Sequence, residues 1–496
     1  MKTIVFEDSI ILYWEKEWES RERPEYAVYL DGALVTKTEK THATLYGLMP
    51  ERDYAVRIER TLAGEVLRIL DTCLHTPAAR RRIDVTRPPY LAVGDGKTLN
   101  TRALQAAIDA CRAGETVYLP RGVYLTGALD LHSDMELYVE EGATLQGAAD
   151  ADAYLPKIRS RFEGWEMDCY RALLNIGKMD SRGGYTCGNI VLRGGGSILG
   201  GGRALSESMT EAERARLLAG GMPEEECTAA APRARGRLLG ICNADGVTVE
   251  GLTLGFGAAW NVHFVYSRGI VTCNGRILSD GVPNGDGWDP DSSEDCTVFH
   301  MEFHTGDDAI AIKSGKNPEG NRIARPTRGI RIFDCHGKDG IAIGSELSGG
   351  VEDVAIWDCD MQHPLSRRGF RIKTTKKRGG YVRSVKVRDS KFAQILIYTL
   401  YGCNDDGEGA EGQELTDISD IRLLGVESSG KVASWDKEGY VENAPCLQIA
   451  GFDGRYIRNL WLEDVSCLAR GDRFRQKIQI EKTEGLVIKN LTVTEG

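Results

Sequence analysis

The hydrophobic residues of this chain fall in short runs rather than in long helical stripes. Beyond residue 84 the runs repeat. They read Gly188-Asn189-Ile190-Val191-Leu192, Gly246-Val247-Thr248-Val249, Gly269-Ile270-Val271-Thr272, Gly329-Ile330-Arg331-Ile332 and Asp353-Val354-Ala355-Ile356. They continue through Ser384-Val385-Lys386-Val387, Asp420-Ile421-Arg422-Leu423, Asn459-Leu460-Trp461-Leu462 and Gly485-Leu486-Val487-Ile488. A turn residue usually precedes each run, and an acid, Asn or Gly follows it. First apolar positions at 330, 354, 385, 421, 460 and 486 are 24, 31, 36, 39 and 26 residues apart. A WD-type propeller would keep a tighter period of ~40–45 with its signature dipeptide. One strand per unit of ~22–40 residues instead predicts an all-β solenoid over 84–496, a right-handed parallel β-helix with apolar residues in the bore and turn residues at the corners. A short helix is expected at Ala103–Cys111 with Thr101 as its N-cap. The charged, helix-favouring stretch Glu207–Gly220 marks a helical insertion near 203–235.

Residues 1–80 have a different texture. Strand-like runs at Ile10–Trp14, Tyr26–Leu30, Ala43–Leu45 and Tyr54–Glu59, with a turn at Asp31-Gly32, predict a small β-sandwich. In Leu48-Met49-Pro50-Glu51-Arg52-Asp53-Tyr54-Ala55-Val56 a tyrosine stands just after a corner, where its hydroxyl can hydrogen-bond upstream backbone. With Trp14 as a core candidate, this segment resembles a fibronectin type III module. Arg80-Arg81-Arg82 reads as a solvated linker.

Composition narrows the function. The 58 glycines among 496 residues, about 12% against a usual ~7%, fit a chain with many corners. A net charge of −11 and a pI near 5.4 disfavour nucleic acid and anionic membrane as partners. No apolar run is long enough to span a bilayer. Thirteen cysteines, an odd number with no CxxC pair, together with an N-terminus lacking signal-peptide features, lead to the expectation of a reducing, cytoplasmic location.

The chemistry concentrates in the middle. Asn284-Gly285-Asp286-Gly287-Trp288-Asp289-Pro290-Asp291 is followed by Thr305-Gly306-Asp307-Asp308-Ala309-Ile310-Ala311-Ile312-Lys313. Asp286 and Asp307 are 21 residues apart, about one coil, and stacked coils lie ~4.8 Å apart. The spacing thus gathers Asp286, Asp289, Asp307 and Asp308 on one patch of wall. Crowded carboxylates raise one another's pKa, so one can act as acid while another stays ionised, as glycoside hydrolysis requires. The glycines beside Asp286 and Asp307 are expected where a sugar approaches the wall. Residues 367–383 hold eight Lys or Arg and no acid, a basic stretch suited to an anionic substrate.

These residues resemble glycoside hydrolase family 28, the polygalacturonases and their pectin-degrading relatives. Four blocks carry the resemblance: Asn284–Asp289, with Gly where the family has Thr; Gly306–Gly315, intact; Gly337–Ser345, lacking the family's histidine; and Arg371-Ile372-Lys373. Ala259-Trp260-Asn261-Val262-His263 and residues 93–145 add weaker support. The Asp289-Pro290-Asp291-Ser292 and Gly344-Ser345-Glu346 segments look more like the exo-acting branch.

The resemblance implies an inverting, metal-free and cofactor-free hydrolysis of α-1,4-linked galacturonides. Asp307 would be the general acid, and Asp286 and Asp308 would hold and deprotonate the water. Arg371 and Lys373 would bind a galacturonate carboxylate. Asp289, His263, Lys313 and Tyr401 are further candidate substrate contacts. The missing histidine falls on Lys338 or Asp339, which would touch substrate or tune the acid. Exo action would require the insertion or the N-terminal module to block one end of the cleft. A rhamnogalacturonan or rhamnose-releasing hydrolase of the same family is the nearest alternative. A carbohydrate-binding solenoid and a β-helix lyase are more distant ones.

Overall fold

The computed structural model describes all residues except 20–21, 400–414, 437, 442–443, 470–477 and 496. It divides into two compact units, Met1–Arg82 and Ile83–Gly496.

The first unit has two antiparallel sheets. One joins Lys2–Val5, Ser9–Tyr13 and His42–Tyr46; the other orders Ala33–Thr38, Glu25–Leu30, Asp53–Leu62 and Glu65–His75. Strands Lys2–Val5, Ala33–Thr38 and Glu65–His75 were not anticipated from the pattern; the last two are largely exposed and show little burial alternation. Alternate residues of the inner strands, among them Ile10, Leu12, Val28, Leu45, Val56 and Ile58, close a separate core. Trp14 meets Tyr26 edge-on at 5.0 Å in that core. The Tyr54 hydroxyl accepts a hydrogen bond from the Met49 backbone N–H at 2.7 Å, five residues upstream. Arg81 and Arg82 are not free linker: they open a strand, Arg81–Asp84.

The second unit is a stack of parallel coils. The repeated apolar positions are register partners. Ile190 pairs with Val247 and Val247 with Ile270. Further on, Ile330, Val354, Val385, Ile421 and Leu460 pair successively. Each is buried in one continuous core. Just outside the bore, Phe299, Phe333 and Trp357 stack at 4.8 and 4.4 Å, the spacing of neighbouring strands.

The corners explain why turn residues flank every run. The residue before each first apolar position is left-handed: Asn189 (φ 54), Gly246 (78), Gly269 (67), Gly329 (69), Asp353 (53), Ser384 (56), Asp420 (58), Asn459 (55) and Gly485 (68). A second left-handed column follows the runs at Asp334, Asp358, Asp389, Gly425, Asp464 and Asn490. Glycine adopts this region freely, and Asn and Asp tolerate it best among other residues. The corner side chains also pair between coils, as Asn459 Nδ2 donates to Asp420 Oδ1 at 2.9 Å.

Among the described residues, eleven short parallel strands form the sheet that carries the acidic cluster. They run from Leu129–Leu131 through Leu239–Cys242, Val262–Val265, Trp288–Asp291, Ile310–Ile312, Ile341–Ile343 and Phe370–Lys373 to Ile478–Glu481. The insertion comprises helices Gly202–Ala219 and Glu224–Ala230 and a 3-10 turn Ala231–Ala234. The early helix is Thr101–Ala110. Thr101 is its first residue rather than its cap, and its hydroxyl accepts the Gly127 N–H at 2.8 Å. An antiparallel hairpin, Ile158–Phe162 with Trp165–Cys169, was invisible to the repeat pattern because it leaves the coil.

Candidate active site

Backbone bonds between coils set the acids in one column. Gly287 N–H donates to Asp308 O at 3.0 Å, Ala309 N–H donates to Gly340 O at 3.0 Å, and Ala342 pairs in register with Arg371 on the following coil. Asp286, Asp308 and Asp339 therefore stand one above another on successive coils, and Arg368 follows on the next. The glycines beside them serve this stacking. A Cβ on Gly287 would lie 2.4 Å from Ala309 O, and one on Gly340 would lie 1.8 Å from Gly369 O.

Each carboxyl has its own electrostatic setting. Asp286 is buried, and burial raises its pKa to about 7, helped by Asp307 and Asp308 and opposed by Lys313. Lys313 Nζ lies 3.4 Å from Asp286 Oδ2, 3.8 Å from Asp289 Oδ1 and 3.6 Å from Glu346 Oε2. These acids outweigh its burial and hold the ammonium firmly charged. Asp289 is fully buried, which pushes its carboxyl well above the usual range. Burial would raise Asp308 too, but Arg371, Lys373 and Arg368 outweigh it and hold Asp308 ionised. Arg371 Nη2 bonds Asp308 Oδ1, and Lys373 Nζ donates to Oδ2 at 2.9 Å. Asp307 is the accessible one, with 27% of its side chain exposed.

The sequence-derived candidates divide accordingly. Asp286, Asp289, Asp307, Asp308, Lys313, Arg371 and Lys373 come together. Arg371 and Lys373 hold Asp308. Lys338 pairs with Asp280. Asp339 is buried beneath Arg368, and burial raises it to about 6. His263 lies under the wall: it is 2% exposed, edge-on to Trp260 at 4.8 Å, with Arg237 Nε 3.4 Å from its Nδ1. Burial lowers its pKa to about 4, so it packs as a neutral ring. Tyr401 lies outside the described residues.

Several site residues escaped the sequence reading. Arg368 is 3.1 Å from Asp307, 3.7 Å from Asp308 and 3.6 Å from Asp339. It sat inside the basic stretch, three residues before Arg371, without a motif of its own. The hairpin brings Arg161, whose Nη1 donates to Asp291 Oδ1 at 2.7 Å with both side chains fully buried. Despite burial, Arg161 and His263 draw Asp291 down to about 2. Beside it, Phe162 stacks on Trp260 at 4.9 Å, and Trp165 Nε1 donates to Asn317 O at 3.2 Å. Arg235, at the end of the insertion, donates to Asn284 Oδ1 at 2.7 Å and to Pro283 O at 3.0 Å, bracing the loop that enters Asp286. Residues this far apart in the chain leave no local spacing to read.

The two sides of the acid column differ. Toward the earlier coils, Phe162, Trp260, Arg237 and His263 pack together as a buried stack beneath the wall. Behind them lies a cavity of about 880 Å³, lined by residues including Asp130, His132, Arg171, Lys178 and the hairpin's Ile158. Toward the later coils, Asp307 and Arg367 are partly exposed, Trp435 is exposed and Arg368 is buried between them, with both guanidiniums over the Trp435 ring at 4.2 and 4.7 Å.

A parallel solenoid carrying three crowded aspartates in a cation-rich groove defines a carbohydrate-processing β-helix. The comparisons agree with that class: the model for glycosyl hydrolases family 28 matches residues 187–449, more than half of the chain, which belongs to that family. A probable polygalacturonase of Vitis vinifera is 29% identical over 65% of this chain, and the chain spans 63% of that protein's length. The exo-poly-alpha-D-galacturonosidase of Dickeya chrysanthemi is 26% identical over 82% of this chain and 76% of its own. Among solved structures, the family 28 exopolygalacturonase of Yersinia enterocolitica superposes with a TM-score of 0.80 at 21% identity, covering 99% of this chain and 97% of that one. The hyperthermoactive exopolygalacturonase of Thermotoga maritima gives 0.66 at 25% identity over 84% and 92%.

Proposed function

We propose that this protein hydrolyses α-1,4-linked galacturonides with inversion and acts from a chain end. The observation that carries the reading is the division among its carboxyls. Asp308 is held ionised by three cations, Asp286 is buried beside Lys313, and Asp307 alone of the three opens to solvent. Asp307 gives a proton to the glycosidic oxygen as the bond from the anomeric carbon breaks. A water held by Asp286 and Asp308 attacks the opposite face of the sugar and yields its proton to them. When substrate binds, Arg371 and Lys373 also meet a uronate carboxylate, a task suited to a guanidinium fork and an ammonium.

Exo action is supported by the hairpin that leaves the coil beside the acid column. In this reading the hairpin, packed on the Trp260–Arg237 stack, ends the cleft toward the earlier coils, and the substrate chain enters from the Arg368 side. The N-terminal unit is proposed as a fibronectin type III-like module, on its three-plus-four strand order and the Tyr54–Met49 bond. The twelve cysteines among the described residues are all free, which supports a reducing, cytoplasmic setting for trimming short imported galacturonides.

Product analysis tests the activity. Defined oligogalacturonates, with rhamnogalacturonan oligomers beside them, are digested and followed by mass and by anomeric NMR signals. Galacturonate released one unit at a time with inverted configuration is expected. Release of rhamnose, or retention, would refute the assignment.

A further inference from the structure

We propose that Arg368 is a positioning residue that decides which oxygen of Asp307 carries the catalytic proton. The inference rests on the reading of Asp307 as the acid. Asp307 Oδ1 accepts the Asp308 backbone N–H at 2.9 Å and faces Arg368 Nη2 at 3.1 Å. An oxygen that accepts an N–H and lies against a guanidinium is the one left without a proton, since a cationic donor favours a bare lone pair. The proton therefore resides on Oδ2, which is free to point into the groove.

Arg368 is itself fixed. Asp339 Oδ2, fully buried, lies 3.6 Å from Arg368 Nη1, while Asp339 Oδ1 accepts the Arg367 N–H at 2.8 Å. The guanidinium carbon rests 4.7 Å from the centre of the Trp435 ring. A carboxylate below, a tryptophan beside and two aspartates ahead leave the side chain one setting. A misplaced acid proton costs transition-state stabilisation and leaves substrate affinity alone, so the effect falls on kcat.

The test compares two substrates in the full-length protein. One is an oligogalacturonate, whose leaving oxygen needs protonation. The other is an aryl α-galacturonide with a nitrophenolate leaving group, which departs without it. Arg368→Gln is expected to lower kcat on the oligogalacturonate by about 10²-fold, the scale of general-acid assistance, with KM nearly unchanged. On the aryl substrate the loss should stay below about threefold, and Arg368→Lys should recover part of the first loss. Equal losses on both substrates, or a change confined to KM, would overturn the proposal. Asp339→Asn gives the same contrast by a second route if Arg368→Gln folds poorly. Asp307→Asn is the control for the underlying reading. If it keeps full activity on the oligogalacturonate, the acid assignment fails; if it loses that activity while Arg368→Gln affects both substrates alike, the positioning role alone fails.

Discussion

Lys313 Nζ stands 3.4 Å from Asp286 Oδ2 and 4.4 Å from the centre of the Trp260 ring, so one buried ammonium serves three acids and an aromatic face at once. Removing it by Lys313→Met leaves Asp286, Asp289 and Glu346 buried without their shared counter-charge. Breaking a buried ion pair from one side costs about 3–5 kcal/mol. A loss of that size should appear in denaturant unfolding at neutral pH. It should shrink in acid, where the carboxyls are protonated.

Asp286 and Asp308 should respond to pH with opposite signs. Asp286 is raised to about 7 in the folded protein, so the native state binds a proton that the unfolded chain releases near pH 4. This penalty is absent below about pH 4, grows up to about pH 7 and then levels. Asp286→Asn should therefore be more stable than the parent at pH 7, by on the order of 2–4 kcal/mol, and equal to it at pH 3. Asp308 is depressed, so its contribution is present above about pH 4 and is lost on acidification. Asp308→Asn should be less stable at pH 7, and the gap should narrow in acid. Thermal unfolding across pH 3–8 reads both; parallel curves for the two variants would contradict the electrostatic account.

The same ionisation should appear in catalysis. With Asp286 acting as carboxylate, kcat/KM of the free enzyme should fall as pH drops below about 7. Any residual activity of Asp286→Asn should lack that limb.

The hairpin is expected to set where cleavage occurs. Trp165→Ala removes the bond to Asn317 and the Lys316 ammonium 4.1 Å from the ring, together about 1–2 kcal/mol of anchorage. Dimers and trimers should then appear among the first products from long polygalacturonate. Chromatography of early time points shows whether monomer still dominates, in which case the stop lies elsewhere.

The corner columns offer a stability test remote from chemistry. Ser384 holds φ 56, where a β-branched side chain is strained. Ser384→Val should cost about 1–2 kcal/mol, while Ser384→Gly should be neutral or slightly stabilising. Equal melting of the two variants would show that the corner conformation is not limiting.

Much of the solenoid was readable because its constraint is local. A left-handed corner favours Gly, Asn or Asp at a fixed place beside each apolar run, so Asp353-Val354 and Asp420-Ile421 announced both the corner and the inward residue. The acidic column was readable for a similar reason, since one coil between Asp286 and the Asp307-Asp308 pair places them together. What stayed hidden depends on the third dimension. Arg161 reaches Asp291 across 130 residues, and no period connects a hairpin outside the coil to the wall beneath it. Arg368 was visible as charge but not as a partner of Asp307. His263 and Lys338 matched or flanked motifs, and what the motifs did not announce is the burial of the first and the pairing of the second with Asp280.

The two columns of left-handed corners also separate the chain's freedoms. They fix register at each coil, while the excursions between them range in length without disturbing the next rung. The wall thus acts as a ruler graduated in coils, on which moving a charge by one coil shifts it by a set step of ~4.8 Å. Loop insertions can remodel the mouth of the groove while the spacing of the acids is inherited unchanged from the backbone.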